Sequence, residues 1–297
     1  MKLAIAALIV VPGLAIAQVP APPQQLPQPD ELLHIAFPKW LDEVGGRVQS
    51  IPATAVTQAW RSNQARQRIP KGQARRVEVV PRHVLRVGQD RVLLVASMNP
   101  VLDEGATEVS HGTPTGLAAY IFAPGKNGWR LVKRQEPFAL QGFDKPVQMD
   151  IVPLSTNAQA LFVGYGSCRK GYCNDYFALY ALGADGVKPA PLVQQPIGMD
   201  NVYTRPDCVD RLSSVVAGLD PADQDGHPPA PGVCEMISGR WELASKGAVP
   251  GPLTLHFHGG ISRTGSTGAD RIAQSMKFEY RGGRYVAVSG RNPVRSY

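Results

Sequence analysis

ALFVGYGSCRKGYCNDYFALYA, residues 160 to 181, places Cys168 and Cys173 either side of Arg-Lys-Gly-Tyr, between two runs in which aliphatic and aromatic residues alternate with small ones. If Lys170-Gly171 form a two-residue turn, Arg169 faces Tyr172 and Cys168 faces Cys173 in the next, non-hydrogen-bonded pair. Pairs of that kind hold their Cα atoms about 4.5 to 5.5 Å apart, within reach of a disulfide. The register is then fixed along both strands, because partners must have numbers that sum to 341. Tyr165 meets Tyr176, Val163 meets Ala178, Phe162 meets Leu179 and Gly164 lies opposite Phe177, all plausible cross-strand neighbours.

Working outward, β-branched and aromatic runs bounded by Gly, Pro, Asn and Asp recur at the intervals of an antiparallel meander. The pattern predicts strands at 77–87, 91–97, 116–122, 129–134, 148–154, 160–167, 173–182, 240–244, 253–258, 272–280 and 284–289. VGQD, APGKNGW, LGADGV and YRGGRY read as the turns between several of them. RVLLVAS with GLAAYIFAPGKNGWRLV parallels ALFVGYG with DYFALYALGADGVKPA, aligning Tyr120 with Tyr180 and Gly128 with Gly186. Such a weak repeat of meander units suits either a propeller-like ring or a sandwich. The expected fold is mainly β: antiparallel meanders in a propeller-like or sandwich arrangement, with short N-terminal helices.

The beginning of the chain reads differently. MKLAIAALIVVPGLAIA, residues 1 to 17, has one cation at Lys2, an apolar run to Val11, and small residues at Ala15 and Ala17 before a cleavage point. This is the pattern of a secretory signal peptide, and its apolar run is shorter than the about 20 residues a membrane span needs. No later segment looks able to cross a membrane, so the expected location is periplasmic or secreted. Residues 18 to 29 hold five prolines and no charge, the composition of a disordered leader. Residues 30 to 76 are expected to be helical or irregular, with Asp30 capping a helix that Pro38 stops and a second helix over 54–68. A β-rich domain follows over 77–297, interrupted by an excursion at 204–235 with a short helix near 209–217.

Four cysteines, an even number, behind an export signal are expected to pair. Besides Cys168 with Cys173, the pairing Cys208 with Cys234 closes the excursion and contributes about 3 to 4 kcal/mol by loop-entropy reasoning. A four-thiolate zinc site is disfavoured in an oxidising compartment and lacks a Cys-x-x-Cys knuckle.

Candidate chemistry is sparse. His256 and His258, two apart on a predicted strand, share a face and could grip a metal if His227, His111 or a carboxylate supplied a third ligand. The plainer reading is a pair of solvent-facing histidines. Asp220, Asp223 and Asp225 before Gly226 fail the register of a calcium loop, and Ser167-x-x-Lys170 lacks the companion motifs of the acyl enzymes that use it. No cofactor-binding fingerprint is present in the sequence, and no cofactor is expected.

The formal charge of +7 is concentrated between 61 and 86, including Arg66, Arg68, Lys71, Arg75 and Arg76. Together with Arg169 and Lys170 at the hairpin tip, these cations are candidates for contact with an acidic macromolecule of the envelope. Nucleic acid is disfavoured because aromatic residues barely interleave with the basic ones beyond Trp60. The function expected is therefore that of an exported, disulfide-stapled, non-catalytic binding protein of a bacterial periplasm or envelope. Its alternative is a metal-dependent envelope hydrolase working from the His256/His258 face.

Overall fold

A computed structural model describes residues 25–38, 41–43, 46–51, 75–88, 90–101, 114–142, 147–169, 171–202, 205, 207–216, 232–245, 247–264, 266 and 268–295. The expected signal peptide, the predicted helix at 54–68 and the Asp220 to Gly226 stretch lie outside these residues. The described chain is mainly antiparallel β, in two sheets.

The first sheet is a six-stranded meander in sequence order: β1 (Leu41–Glu43), β2 (Gly46–Ile51), β3 (Arg75–Val87), β4 (Arg91–Pro100), β5 (Thr115–Gly125) and β6 (Gly128–Gln141). The second holds β7 (Gln148–Ser155), β8 (Ala158–Arg169), β9 (Tyr172–Gly183), β11 (Val193–Asp200), β12 (Cys234–Leu243), β13 (Leu253–Ser262), β14 (Asp270–Arg281) and β15 (Arg284–Ser289) in spatial order, with the short β10 (Gly186–Val187) paired to β9. Of the two arrangements left open by the sequence, facing sheets replace radial blades. The repeat survives at its turns: Gly128 and Gly186 both adopt positive φ, 108° and 103°, each closing a two-residue turn onto Gly125 or Gly183.

The central strands of the first sheet, β4 and β5, are buried on both sides. Leu93, Val95, Leu117, Ala119 and Ile121 meet Leu161, Val163, Tyr165, Ala178 and Tyr180 of the second sheet in a shared core. Val92, Leu94, Ala96, Met98, Tyr120 and Phe122 face the other way. There the helix α1 (Pro29–Ala36) covers them with Leu32, Leu33 and Ala36. Burial on both faces explains why β4 reads as a near-continuous apolar run instead of an alternating one.

The second sheet folds over on itself. Val152, Leu154, Ala160, Phe177 and Leu179 from its first strands pack against Leu253, Leu255, Phe257, Phe278 and Tyr285 from its last. The Tyr285 amide donates to Leu192 O at 2.9 Å, which draws β15 toward the start of β11 without closing a barrel. In order across the molecule the layers are α1, the first sheet, β7 to β11, and the overfolded strands that lead to β15.

Three local readings differ from expectation. Asp30 is not the cap of α1: Gln28 holds that position, and Pro29, which has no N–H to leave unpaired, opens the helix ahead of Asp30 and Glu31. The segment 30–76 is not only helical or irregular, since β1 and β2 lie in it and β2 pairs with β3. β11 was not foreseen because Pro196 and Gly198 break its alternation at a bulge.

The two sheets are also clipped together by polar contacts at the β9–β10 turn. Arg91 donates to Ala184 O and Asp185 Oδ1, each at 3.1 Å, and Lys133 donates to Asp185 O at 2.9 Å. The Gln135 amide works like a strand partner, giving a hydrogen bond to Val187 O at 2.8 Å and taking one from Val187 N at 3.0 Å. A Cβ on Gly186 would lie 2.1 Å from Gln135 Oε1 and 2.9 Å from Ile121 Cδ1, on a backbone already at positive φ. Gly186→Ala is therefore expected to lower the unfolding free energy by about 2 to 3 kcal/mol through strain and the lost Gln135 bonds. Gly183→Ala, with nothing within 4 Å, is the matched control and should cost less than about 0.5 kcal/mol in the same chemical denaturation series.

Candidate functional site

The register of β8 on β9 follows the rule that partners sum to 341 along its whole length, from Ala160 with Ala181 to Arg169 with Tyr172. Cys168 and Cys173 are bonded, their Cα atoms 4.0 Å apart. Cys208 and Cys234 are bonded as well, so no cysteine of the chain is free. The second bond ties the excursion helix α2 (Asp207–Leu212), earlier in the chain than the expected 209–217, to the start of β12. Arg211 adds to that tie by donating to Ser262 Oγ, Ser262 O, Arg263 O and Gly232 O at 2.8 to 3.2 Å.

Below the stapled tip the hairpin opens into a cleft of about 460 Å³ lined by Gln148, Phe162, Gly164, Tyr165, Gly166, Asp175, Tyr176 and Ile197. Its form follows from the alternation of β8. Phe162, Gly164 and Gly166 fall on one face of the strand, so two successive positions present bare backbone where side chains would otherwise fill the space. Gln148 pairs with Gly164 from one side, while Asp175 pairs with Gly166 and, across β9, with Gly198. The bulge between Pro196 and Gly198 brings Ile197 to the rim.

The wall is held rigidly. The Phe162 ring stacks on Trp241 of β12, centroids 5.2 Å apart at 28°, and Trp241 lies parallel to Phe177 at 6.4 Å. A Cβ on Gly164 would come within 3.2 Å of Phe162 Cζ, so the ring leans over the glycine. Tyr165 and Tyr176 stack on each other at 5.1 Å and 8°, and the Gln194 amide donates to the Tyr165 hydroxyl. Burial raises the Tyr165 and Tyr176 hydroxyls above the ordinary tyrosine pKa, for Tyr165 against a smaller lowering by Gln194.

The residues singled out from sequence are distributed over three places. Arg169 sits opposite Tyr172 by its backbone, and Arg75 and Arg76 sit on β3 opposite Ile51 and Ser50. Lys170, Arg66, Arg68 and Lys71 lie outside the described residues, as do His111 and His227. His256 and His258 share the outer face of β13, as their spacing requires. Ser275, directly across from His256, has its Oγ 3.0 Å from Nδ1, and Glu242 Oε2 lies 3.4 Å from Nε2. Nδ1 is thereby hydrogen-bonded to Ser275, while Nε2, within ion-pair distance of Glu242, makes no hydrogen bond to any described residue.

His258 is exposed beside Ser238 and Ala273. No third ligand among the described residues stands with the two imidazoles. Among the described residues the group of three close ligand-type side chains is Asp207, Cys208 and Cys234, and its sulfurs are bonded to each other. The cleft itself was missed from sequence. Its signal was present in Phe162-x-Gly164-x-Gly166, a strand face with its side chains removed.

Comparison with protein-family models, with curated proteins and with solved structures finds no match.

The tyrosines set the alkaline limit of the fold. The Tyr285 hydroxyl is pushed up to about 12 by burial and, less, by Tyr280, and Tyr165, Tyr176 and Tyr180 are raised by burial. A folded-state pKa above the unfolded value leaves stability intact below pH about 10 and erodes it above, because the unfolded chain loses its protons first. Unfolding free energy should therefore fall between pH about 10 and 12, and Tyr165→Phe should make that fall shallower. Denaturation midpoints measured across this range check it; an identical slope in the variant would contradict the assignment.

Proposed function

We propose that this chain is an exported, disulfide-stapled binding protein of a bacterial periplasm or envelope, which takes its ligand in the cleft at the base of the β8–β9 hairpin. The cleft is the observation that carries the reading. It is concave and of ligand size, with a mostly apolar wall and, besides the two tyrosines, Gln148 and Asp175 as polar side chains on its lining, the general character of a small-molecule site. Two disulfides support an oxidising compartment. No described helix is long and apolar enough to cross a membrane.

The stapled tip suits a second contact. In the sequence Arg169 and Lys170 directly follow Cys168, whose bond to Cys173 fixes the hairpin, and these two cations are the candidates for contact with an acidic macromolecule of the envelope. The construction is non-catalytic in this reading: binding is set by a preformed wall and floor, with the hairpin as its frame.

The test is to immobilise the mature protein, expose it to an envelope extract, and identify by mass spectrometry the small molecules released on denaturation. Wild type is compared with Phe162→Ala, which removes the wall, and with Gln148→Ala, an exposed rim change that spares the core. A released compound that falls at least about fivefold in both variants is the expected result, in keeping with the cost of losing one buried contact. The same compounds in the same amounts from all three proteins would show that the cleft is not the binding site.

A further inference from the structure

We propose that the segment after β15, residues 290–295, is a strap that sets the mouth of the cleft: latched, it holds the β11 rim in place, and released, it frees that rim while the β8 floor stays. Its use as a gate rests on the cleft being the ligand site; the strap itself is tested without any ligand.

The β11 rim is the part of the cleft that the sheet does not fix. At the bulge the register on β9 passes from Pro196 with Tyr176 directly to Gly198 with Asp175, and the pairing of β11 with β12 begins only at Gly198. Ile197, which lines the cleft, therefore has no ladder partner on either neighbouring strand. A bulged residue of this kind takes its position from whatever else holds its neighbours. Here the strap does so on both sides. The Asn292 side-chain amide donates to Pro196 O at 2.9 Å and to Gln195 Oε1 at 3.2 Å. Past the bulge, the buried Asn174 amide donates to Gly198 O at 3.4 Å and to Arg295 O at 2.8 Å, joining the far side of the bulge to the far end of the strap.

The strap is fastened in a way that lets it release as a unit. Among the described residues no backbone–backbone hydrogen bond joins 291–295 to either sheet, in contrast to the ladders beneath it. Besides the two asparagines it has three holds. Gln274 donates to Arg291 O at 3.1 Å, Val294 is buried against the core beneath the overfolded strands, and Arg295 Nε stands 3.8 Å from Oε1 of the buried Glu235. The Val294 amide donates to Asn292 Oδ1 at 2.9 Å, a bond that lies within the strap. Segments held by a few side-chain contacts open at lower free energy than the strands they lie on. Asn292 is thus a positioning residue for a rim it does not itself line.

Amide hydrogen exchange on the mature protein tests the strap, comparing wild type with Asn292→Ala and Asn292→Asp. Asn292→Ala removes both bonds to the bulge. Exchange at 197–199 and at Asp175 is expected to quicken at least about tenfold, in keeping with the loss of two hydrogen bonds, while Val163 and Tyr165 in β8 exchange as in wild type. Asn292→Asp keeps the acceptor for the Val294 amide but has no donor for Pro196 O, so it should loosen the same amides as the alanine variant does. Unchanged exchange at 197–199 in Asn292→Ala, equal acceleration at Val163 and Tyr165, or wild-type behaviour of Asn292→Asp would overturn the strap. None of these results bears on whether the cleft takes a ligand, which the capture from envelope extract decides separately.

Discussion

The hydrogen-bond register between β8 and β9 is the constraint from which the rest follows. This hairpin is the middle layer of the molecule, and each of its faces belongs to a different core. Leu161, Val163, Tyr165, Ala178 and Tyr180 fill the core shared with the first sheet, while Ala160, Phe177 and Leu179 fill the one beneath the overfolded strands. A slip of one residue would exchange every side chain between the two cores. Phe162 would then leave Trp241, and Gly164 and Gly166 would open holes in the wrong layer. The Cys168–Cys173 bond guards against that slip at the end where the hairpin is least packed.

The cleft is a by-product of how the middle layer is completed. A strand buried on both faces normally carries side chains at every position. β8 instead carries glycine at 164 and 166 on the Phe177 side, and the space those residues leave is the cleft. Trp241 keeps Phe162 from collapsing into it, and Gly198 leaves room for the Asp175 carboxylate. The packing and the shape of the cleft are thus set by the same few residues.

The hairpin and its register were legible from sequence because a two-residue turn, paired cysteines and strict alternation are all local signals. Most later strands were legible for the same reason, though β12 begins at Cys234 and not at Arg240, since Glu235 and Ser238 mask its alternation. What sequence could not give was long-range. The choice between facing sheets and a ring depends on which meander covers which, and no local pattern records that. The overfolding of the second sheet depends on the limited pairing of β11 with β12, from Gly198 to Asp200, which lets the rest of β12 swing Trp241 over Phe162. The histidine pair shows the reverse case: its spacing was read correctly as one face, yet Ser275 and Glu242, distant in sequence, decide what His256 touches.

The most direct test of the central claim is the set of Hα–Hα nuclear Overhauser contacts across the hairpin. The register places short Hα–Hα distances at the non-hydrogen-bonded pairs: Cys168 with Cys173, Gly166 with Asp175, Gly164 with Phe177 and Phe162 with Leu179. Cross-peaks at these four pairs, retained when the disulfide is reduced, are the predicted result. Cross-peaks displaced by one residue, such as Gly164 with Tyr176, would contradict the account, since both cores and the cleft would then have to be built from other side chains.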